Sequence, residues 1–244
     1  MTSNLPIGPV GPLLVLDLET LPDPKAVGIA PRGREVSRPA LHRISAYSSL
    51  SATEEPDGRW SGFSLRSAFD ADEFELLMDI DLSIAALAEA QGTLVTYNGI
   101  SHDVAVLRRR AAANWMFGLD GLGRIDIVDH RDLLRAHKRG RRDALPPLRD
   151  ACAGYGIPTD HRLVDRRGGP EGPVRKSQVD CVATFLLTLY ELAIERGDEA
   201  PLVAGWTALA EYLATPAVRA PHLDQFRWHP RLAAAVEADL AIVS

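Results

Sequence analysis

Two carboxylates stand close together near the N-terminus, at the end of an apolar segment. Residues 13–18 read Leu-Leu-Val-Leu-Asp-Leu, so that Asp17 and Glu19 lie two positions apart. In an extended strand, side chains at positions i and i+2 point to the same face. Two acids held side by side without a basic neighbour repel each other. We therefore expect a hard divalent cation between them, and further acids elsewhere in the chain.

Two more acids occupy positions that could complete such a site. Asp103 falls in the first turn of a helix predicted directly after a short strand at Thr93–Tyr97. Asp180 lies beside the apolar stripe of a long helix predicted for residues 174–196. A carboxylate that borders an apolar face costs free energy unless it is paired or coordinated. The alternative for Asp180 is an exposed residue at the edge of the stripe.

The acids fall into three motifs along the chain: Asp17-x-Glu19, Tyr97-Asn98-Gly99-x-x-His102-Asp103 and the segment around Asp180. These motifs, in this order, resemble those of the DEDD superfamily of 3′–5′ exonucleases. The resemblance is strongest to predicted exonucleases related to the proofreading domain of family B DNA polymerases, and it covers about residues 12–197. Two segments, His130-Arg-Asp-Leu-Leu and residues 148–158, are similar to elements between the second and third motifs of that family.

The resemblance implies a fold, a cofactor and a chemistry. The fold is α/β: a ribonuclease H-like mixed sheet flanked by helices, followed here by a helical C-terminal extension. The cofactor is a pair of divalent ions, Mg²⁺ or Mn²⁺, since carboxylate oxygens suit these metals. Two such ions about 4 Å apart stabilise the attacking and leaving oxygens of a phosphodiester hydrolysis. The implied metal ligands are Asp17, Glu19, Asp103 and Asp180.

The chain departs from the family pattern at the third motif. The family carries a Tyr four residues before the last acid, or a His five residues before it, and here these positions hold Lys176 and Arg175. On a helix, Lys176 is one turn from Asp180 and shares its face. It could form an ordinary surface ion pair, hold the scissile phosphate, or act as a base if its pKa of about 10.4 were lowered. His102 and His161 are alternative candidates to replace the Tyr or His that the family uses.

Composition limits the class of protein. A chain of 244 residues with 46% hydrophobic residues can bury one large core. No apolar stretch approaches 18 residues and the first twelve residues lack the pattern of a leader, so we expect no membrane span. Two cysteines without a pairing or metal spacing favour the cytoplasm. We expect two domains, an exonuclease-like domain at 12–197 and a helical extension at 198–244.

The distribution of charge favours a polyanion partner. The net charge is −6, but basic residues are concentrated at 108–110, at 135–142 and at 162–176. We therefore expect a metal-dependent 3′–5′ exonuclease acting on single-stranded nucleic acid, with DNA favoured over RNA. Lys176 joins the four acids in the catalytic set. The expected substrate contacts are Thr20, Asn98, His102, Arg139 and Arg175.

Two rival functions stay open at this point. The first is a nucleic-acid-binding module that kept the fold and lost turnover together with the water-orienting residue. The second is a protein-interacting domain whose C-terminal helices dock a partner through Trp206, Tyr212 and Trp228. Four intact acids argue against both rivals. The oligomeric state and the pathway do not follow from the sequence.

Overall fold

A mixed five-stranded sheet forms the centre of the protein. The computed structural model describes residues 11–30, 39–69, 72–137, 146–160, 171–218 and 220–228. The strand order is β3-β2-β1-β4-β5; β2 is antiparallel to β1 and β3, whereas β4 and β5 are parallel to β1. The strands are β1 (Gly11–Pro22), β2 (His42–Glu54), β3 (Trp60–Phe69), β4 (Thr93–Thr96) and β5 (Asp129–Asp132).

Helices flank this sheet, so the expected α/β, ribonuclease H-like architecture is confirmed. Short 3-10 turns at Pro39–Leu41 and Asp224–Phe226 complete the described elements. The helices are α1 (Pro24–Ile29), α2 (Glu73–Glu89), α3 (Asp103–Ala113), α4 (Asp120–Arg124), α5 (Leu133–His137), α6 (Leu148–Gly154), α7 (Gly172–Arg196) and α8 (Ala200–Leu213).

The alternation of side chains along β1 divides the core into two layers. Leu14, Leu16 and Leu18 pack with residues of α2 and α3 on one face of the sheet. Leu13 and Val15 pack with residues of α7 on the other face. Because side chains alternate along a strand, positions 17 and 19 continue the face that carries α7. The two acids of the first motif therefore lie on the face covered by the helix that carries the last acid.

Buried polar contacts fix the rotation of α7 on the sheet. The Cys181 thiol donates a hydrogen bond to the carbonyl oxygen of Val15 at 3.4 Å, and the hydroxyls of Ser177 and Ser48 lie 2.6 Å apart. Among the described residues, α7 is the one helix long and apolar enough to cross a membrane, and 72% of its most apolar window is buried inside the protein. A buried core helix can have the same length and apolar composition without crossing a membrane.

The described part of the C-terminal extension packs on the same core. Trp206 and Leu209 of α8 belong to the buried cluster that contains the centre of α7, and the Trp206 indole N–H donates to the carbonyl oxygen of Phe226 at 2.8 Å. The domain boundary between residues 197 and 198 stays a prediction. Residues 229–244, where a second helix is expected, lie outside the described residues.

Local structure differs from what the sequence indicates in two places. The four prolines between Leu21 and Pro39 predict a loop over this segment, but β1 extends to Pro22 and α1 follows it. The signal for α1 is Asp23, whose carboxylate accepts a hydrogen bond from the Lys25 N–H at 2.9 Å, with a proline at the first helical position. In the segment before α3, Ser101 is of a residue type that is strongly preferred at helix N-caps, but the N-cap of α3 is His102.

Candidate metal centre

The first pair of acids lies where the sheet is irregular. Asp17 pairs with Ser48 and Glu19 pairs with Ala46, but the register shifts by one residue between Glu19 and Thr20. A β-bulge of this kind ends regular pairing and re-aims side chains, and bulges are common next to active sites. The end of β1 can therefore present its polar side chains to a shared site.

Three carboxylates meet at this end of β1. Oxygens of Asp17, Glu19 and Asp180 all lie within 4.8 Å of one another. Asp180 is buried, and Asp17 and Glu19 are partly buried. The first and third predicted motifs are thus brought together by the packing of α7 on β1, although Glu19 and Asp180 are 161 positions apart in the chain. An exposed location at the stripe's edge does not describe Asp180, which is 6% exposed.

Asp17 is the least compensated of these acids. Its Oδ2 atom is buried and finds no hydrogen-bond partner among the described residues. Burial raises the pKa of Asp17 well above its ordinary value, and the nearby carboxylates of Asp180 and Asp103 raise it further. A buried carboxylate oxygen without a partner is a costly feature that a bound cation would compensate.

The fourth predicted acid, Asp103, stands beside this group rather than within it. It opens α3 and is 4% exposed. Burial raises the pKa of Asp103 to about 8, and the carboxylates of Asp132 and Glu19 contribute to the rise. Because Asp103 also raises the pKa of Asp17, the four predicted ligands share one electrostatic environment.

Lys176 reaches into the acidic group from α7. Its ammonium donates hydrogen bonds to Glu19 Oε1 at 2.5 Å and to Asp180 Oδ2 at 2.7 Å. Burial alone would lower the pKa of Lys176, but the carboxylates of Asp180, Asp17 and Glu19 raise it above its ordinary value. Lys176 is therefore protonated at neutral pH, and an ammonium donates hydrogen bonds but accepts no proton. This environment favours a charge-stabilising role over a general-base role.

Asp132 organises the backbone that leads to Asp103, a role that was not predicted. Its carboxylate accepts hydrogen bonds from the backbone N–H of Asn98 at 2.9 Å, of Ile100 at 3.1 Å and of Leu134 at 3.2 Å. Asn98 has a φ of 68°, a left-handed conformation that asparagine tolerates better than most residues. The sequence feature that could have indicated this role is the acid within the His130-Arg-Asp-Leu-Leu segment. This segment contains the end of β5, which is parallel to β4 and next to it.

A group of basic and polar side chains lies next to the acids. The Thr20 hydroxyl and His42 Nδ1 are 3.0 Å apart. Burial lowers the pKa of His102, and electrostatic interactions with His42 and Arg109 lower it further. His102 is accordingly neutral at pH 7. Thr20 and His102 were expected from the sequence to contact substrate, whereas His42 and Arg109 were not singled out for that role.

Other expected substrate contacts have different surroundings. Arg175 forms an ion pair with Glu171 one turn earlier in α7. In the first basic cluster, Arg108 pairs with Asp126, and Arg110 pairs with both Asp23 and Glu73. Arg139 and His161 lie outside the described residues.

The donor set fits a hard divalent metal. The three-acid group offers only carboxylate oxygens, the ligands of Mg²⁺ and Mn²⁺, and one of these oxygens is buried without a hydrogen-bond partner among the described residues. Asp103 can add a fourth carboxylate from its neighbouring position. The arrangement can thus concentrate positive charge at one point of the surface.

Comparison with known proteins yields structural similarity without a sequence match. No family model matches the chain, and no curated protein matches it. Solved structures do match, and those described below do so at low sequence identity. A family B DNA polymerase from the hyperthermophilic archaeon Pyrobaculum calidifontis is 14% identical with a TM-score of 0.49, over 90% of this chain and 27% of the polymerase.

Structures of exonuclease I also match. A product-bound exonuclease I is 14% identical with a TM-score of 0.43, over 82% of this chain and 46% of that chain. A zinc ion-bound form of the E. coli ExoI–ssDNA complex is 14% identical with a TM-score of 0.41, over 83% of this chain and 44% of that chain. The chain thus corresponds to less than half the length of each of these proteins.

Proposed function

We propose that the protein is a metal-dependent 3′–5′ exonuclease that hydrolyses phosphodiester bonds at single-stranded 3′ ends. The observation that carries this proposal is the meeting of Asp17, Glu19 and Asp180 within 4.8 Å, with one buried Asp17 oxygen that has no partner among the described residues. Lys176 compensates Glu19 and Asp180, whereas the buried oxygen of Asp17 has no partner among the described residues, and a bound cation would compensate it. The motif order of the DEDD exonucleases supports the same activity.

The reaction adds water across the terminal phosphodiester and breaks the P–O3′ bond. It leaves a 3′-hydroxyl on the shortened strand and a 5′-phosphate on the released nucleotide. Divalent ions, Mg²⁺ or Mn²⁺, held by Asp17, Glu19, Asp103 and Asp180 would supply charge neutralisation and water activation when bound; the family resemblance implies two such ions. Lys176 adds fixed positive charge beside Glu19 and Asp180, where negative charge increases during the reaction.

The groups around Thr20 are the best candidates to hold the substrate end. Thr20 follows Glu19 directly, and its hydroxyl lies 3.0 Å from His42 Nδ1. His102 adds a neutral imidazole and Arg109 adds a positive charge nearby. Phosphate contacts of this kind position a strand without reading its sequence. We propose single-stranded DNA as the substrate, and we include RNA as the comparison because the 2′-hydroxyl decides between the two. Arg139 and Arg175 stay candidates for phosphates farther along the strand.

One observation favours the rival function, a binding module without turnover. The ammonium of Lys176 lies between Glu19 and Asp180, at the position where the family carries a water-orienting Tyr or His. If that replacement ended catalysis, the protein would bind single strands and release no nucleotide. Binding without cleavage under all metal conditions would establish this alternative.

A labelled-oligonucleotide assay tests the proposal. Single-stranded DNA carrying a 5′ label should yield a ladder of shortened strands, and the same strand with a 3′ label should release labelled mononucleotide from the first turnover. Mg²⁺ or Mn²⁺ should be required, and EDTA should abolish the activity. Matched RNA and duplex DNA serve as competing substrates. Release of nucleotides from the 5′ end, or equal activity in EDTA, would contradict the proposal.

A further inference from the structure

Lys176 holds a position that a metal ion would otherwise take. Its Nζ atom lies 2.5 Å from Glu19 Oε1 and 2.7 Å from Asp180 Oδ2. Both residues belong, with Asp17, to the one group of acids among the described residues whose oxygens could together hold an ion. An ammonium and a divalent metal thus compete for the same two carboxylates.

The two cations cannot share these oxygens closely. Mg²⁺ binds carboxylate oxygen at about 2.0–2.1 Å, so a metal on Glu19 and Asp180 would stand within a few ångströms of the ammonium. Like charges at that separation repel strongly, and partial burial weakens the screening by water. Lys176 therefore lowers the affinity of Glu19 and Asp180 for a divalent ion as long as it stays between them.

Asp17 is arranged differently. Its Oδ2 atom is buried without a hydrogen-bond partner among the described residues, and no described hydrogen bond joins Asp17 to Lys176. Asp17 can therefore bind a divalent ion while Lys176 keeps its hydrogen bonds to Glu19 and Asp180.

We propose that the Lys176 ammonium serves as one of the two cations of the site, so that the protein binds a single divalent ion, with Asp17 as the acid left to hold it. This inference rests on the proposed metal-dependent function and deepens it. It also accounts for the departure at the third motif, because Lys176 supplies a permanent positive charge to Glu19 and Asp180. The site then needs one metal per chain, and activity rises with the first power of the metal concentration.

Metal stoichiometry measured on the full chain tests the inference. Isothermal titration of the metal-free protein with Mn²⁺ should give one ion per chain, and the electron paramagnetic resonance of the bound Mn²⁺ should be that of an isolated ion. Lys176→Met removes the charge and keeps most of the side-chain length. This variant should bind two ions, with the spectrum of a magnetically coupled pair. Lys176→Gln provides a second variant should the methionine protein fail to fold.

Arg124→Met is the matched control. Arg124 forms an ion pair with Asp120 one turn away on α4, so the substitution removes a helical acid–base pair of the same spacing without touching the site. It should leave the stoichiometry at one.

The outcomes separate the inference from the function it rests on. Two ions on the wild-type chain would overturn the inference and leave the metal-dependent exonuclease standing. One ion on both the wild type and the Lys176 variants would also overturn it, since Lys176 would then exclude nothing. No binding of Mn²⁺ to the wild type, by heat or by thermal shift, would overturn the metal-dependent function itself.

Discussion

Two groups of buried carboxylates among the described residues have their charges compensated to very different extents. The first consists of Asp23 and Glu73, which surround Arg110. The second consists of the acids at the end of β1, with Lys176 as the cation in hydrogen-bond contact. Both groups form where helices pack on the ends of strands, so burial alone does not distinguish them.

The Arg110 group is a completed network. The guanidinium donates to Glu73 at 2.9 and 2.6 Å and to Asp23 at 2.9 Å, while the backbone N–H of Ile44 and the side-chain amide of Asn114 donate to Glu73 at 2.8 and 3.0 Å. Burial would raise the pKa of Asp23, but the Lys25 N–H and Arg110 outweigh it and lower the pKa. This network holds α1, α2, α3 and β2 together.

In the group at the end of β1, by contrast, the acids are not all compensated by hydrogen bonds or positive charge. One Asp17 oxygen is buried without a partner among the described residues, and the pKa values of Asp17 and Asp103 are raised by burial and by neighbouring carboxylates. Satisfied acids of the first kind stabilise a fold. Acids left to repel each other destabilise it, and they persist where a ligand uses them. The contrast distinguishes a structural network from a candidate active site.

The largest expected effect is a loss of activity when Asp17, the acid without a hydrogen-bond partner among the described residues for one oxygen, is replaced. Asp17→Asn keeps the shape of the side chain and removes its charge. Loss of a residue that merely supports a metal ligand costs about 10–100-fold, so if Asp17 is a ligand, as proposed, its loss should lower turnover by more than about 100-fold. The melting temperature of the metal-free variant should equal or exceed that of the wild type, since a buried repulsion is removed.

Turnover and thermal melting of Asp17→Asn are measured beside those of Asp126→Asn. Asp126 is exposed and pairs with Arg108, so its variant should keep wild-type turnover. Retained activity in Asp17→Asn would remove this residue from the site.

The reverse pattern is expected for the completed network. Arg110→Met leaves Asp23 and Glu73 buried without their cation, and removing one partner of a buried ion pair typically costs about 3–5 kcal/mol. The free energy of unfolding, measured in urea at pH 7, should fall by this order. At a temperature where the variant is folded, turnover should stay within a few-fold of wild type. A variant that is stable but inactive would place Arg110 in the chemistry and break the contrast.

A smaller effect is expected in the pH dependence of stability. The pKa of Asp103 is raised to about 8 from an ordinary value of 3.8. As pH rises through this interval, the unfolded chain loses the Asp103 proton while the folded chain retains it, so stability falls and then levels above about pH 8. Asp103→Asn should flatten this slope and raise the melting temperature of the metal-free protein at pH 8 by at least about 2–4 °C, the shift for 1 kcal/mol in a chain of this size.

Metal provides the matched control for that measurement. A saturating divalent ion should stabilise the wild type at pH 8 by mass action, and it should stabilise Asp103→Asn much less. A wild-type melting temperature that rises between pH 5 and pH 8 without metal would show that Asp103 is not held protonated by its surroundings.

The difference between the two acid groups also explains what the sequence could predict. Asp17 and Glu19 follow an apolar run, and their i,i+2 spacing translates directly into a shared face. The regular apolar pattern of α7 likewise determines that Lys176 and Asp180 lie together. The fold class follows from the same alternation of strands and helices.

Other features depend on contacts between distant parts of the chain. No spacing indicates that Glu73 receives a hydrogen bond from Ile44, 29 positions earlier, or that Arg110 is used for structure although it belongs to a basic cluster. β5 escaped prediction because its four residues, Asp129 to Asp132, are all polar or charged and carry no apolar alternation. With β5 unrecognised, the position of Asp132 beside the second motif could not be derived.

The smallest effect is expected at Asp132, which belongs in part to both kinds of group. Its carboxylate is satisfied by three backbone N–H donors, yet its charge acts on Asp103. Asp132→Asn turns one acceptor oxygen into an amide that cannot accept from those N–H groups, which should cost roughly 1–3 kcal/mol of stability. Turnover should fall by no more than about tenfold, because the residue acts through the backbone before Asp103.

Two measurements distinguish this positioning role from simple destabilisation. Removal of the Asp132 charge should lower the pKa of Asp103, so the pH at which the stability of the metal-free protein levels off should move below its wild-type value. Asp129→Asn is the matched control on the same strand; Asp129 is exposed and accepts a hydrogen bond from the Thr93 hydroxyl at 3.0 Å, and its variant should leave turnover and that pH unchanged. If Asp132→Asn lowers stability without moving the pH profile, Asp132 acts on the fold alone and belongs with the Arg110 network.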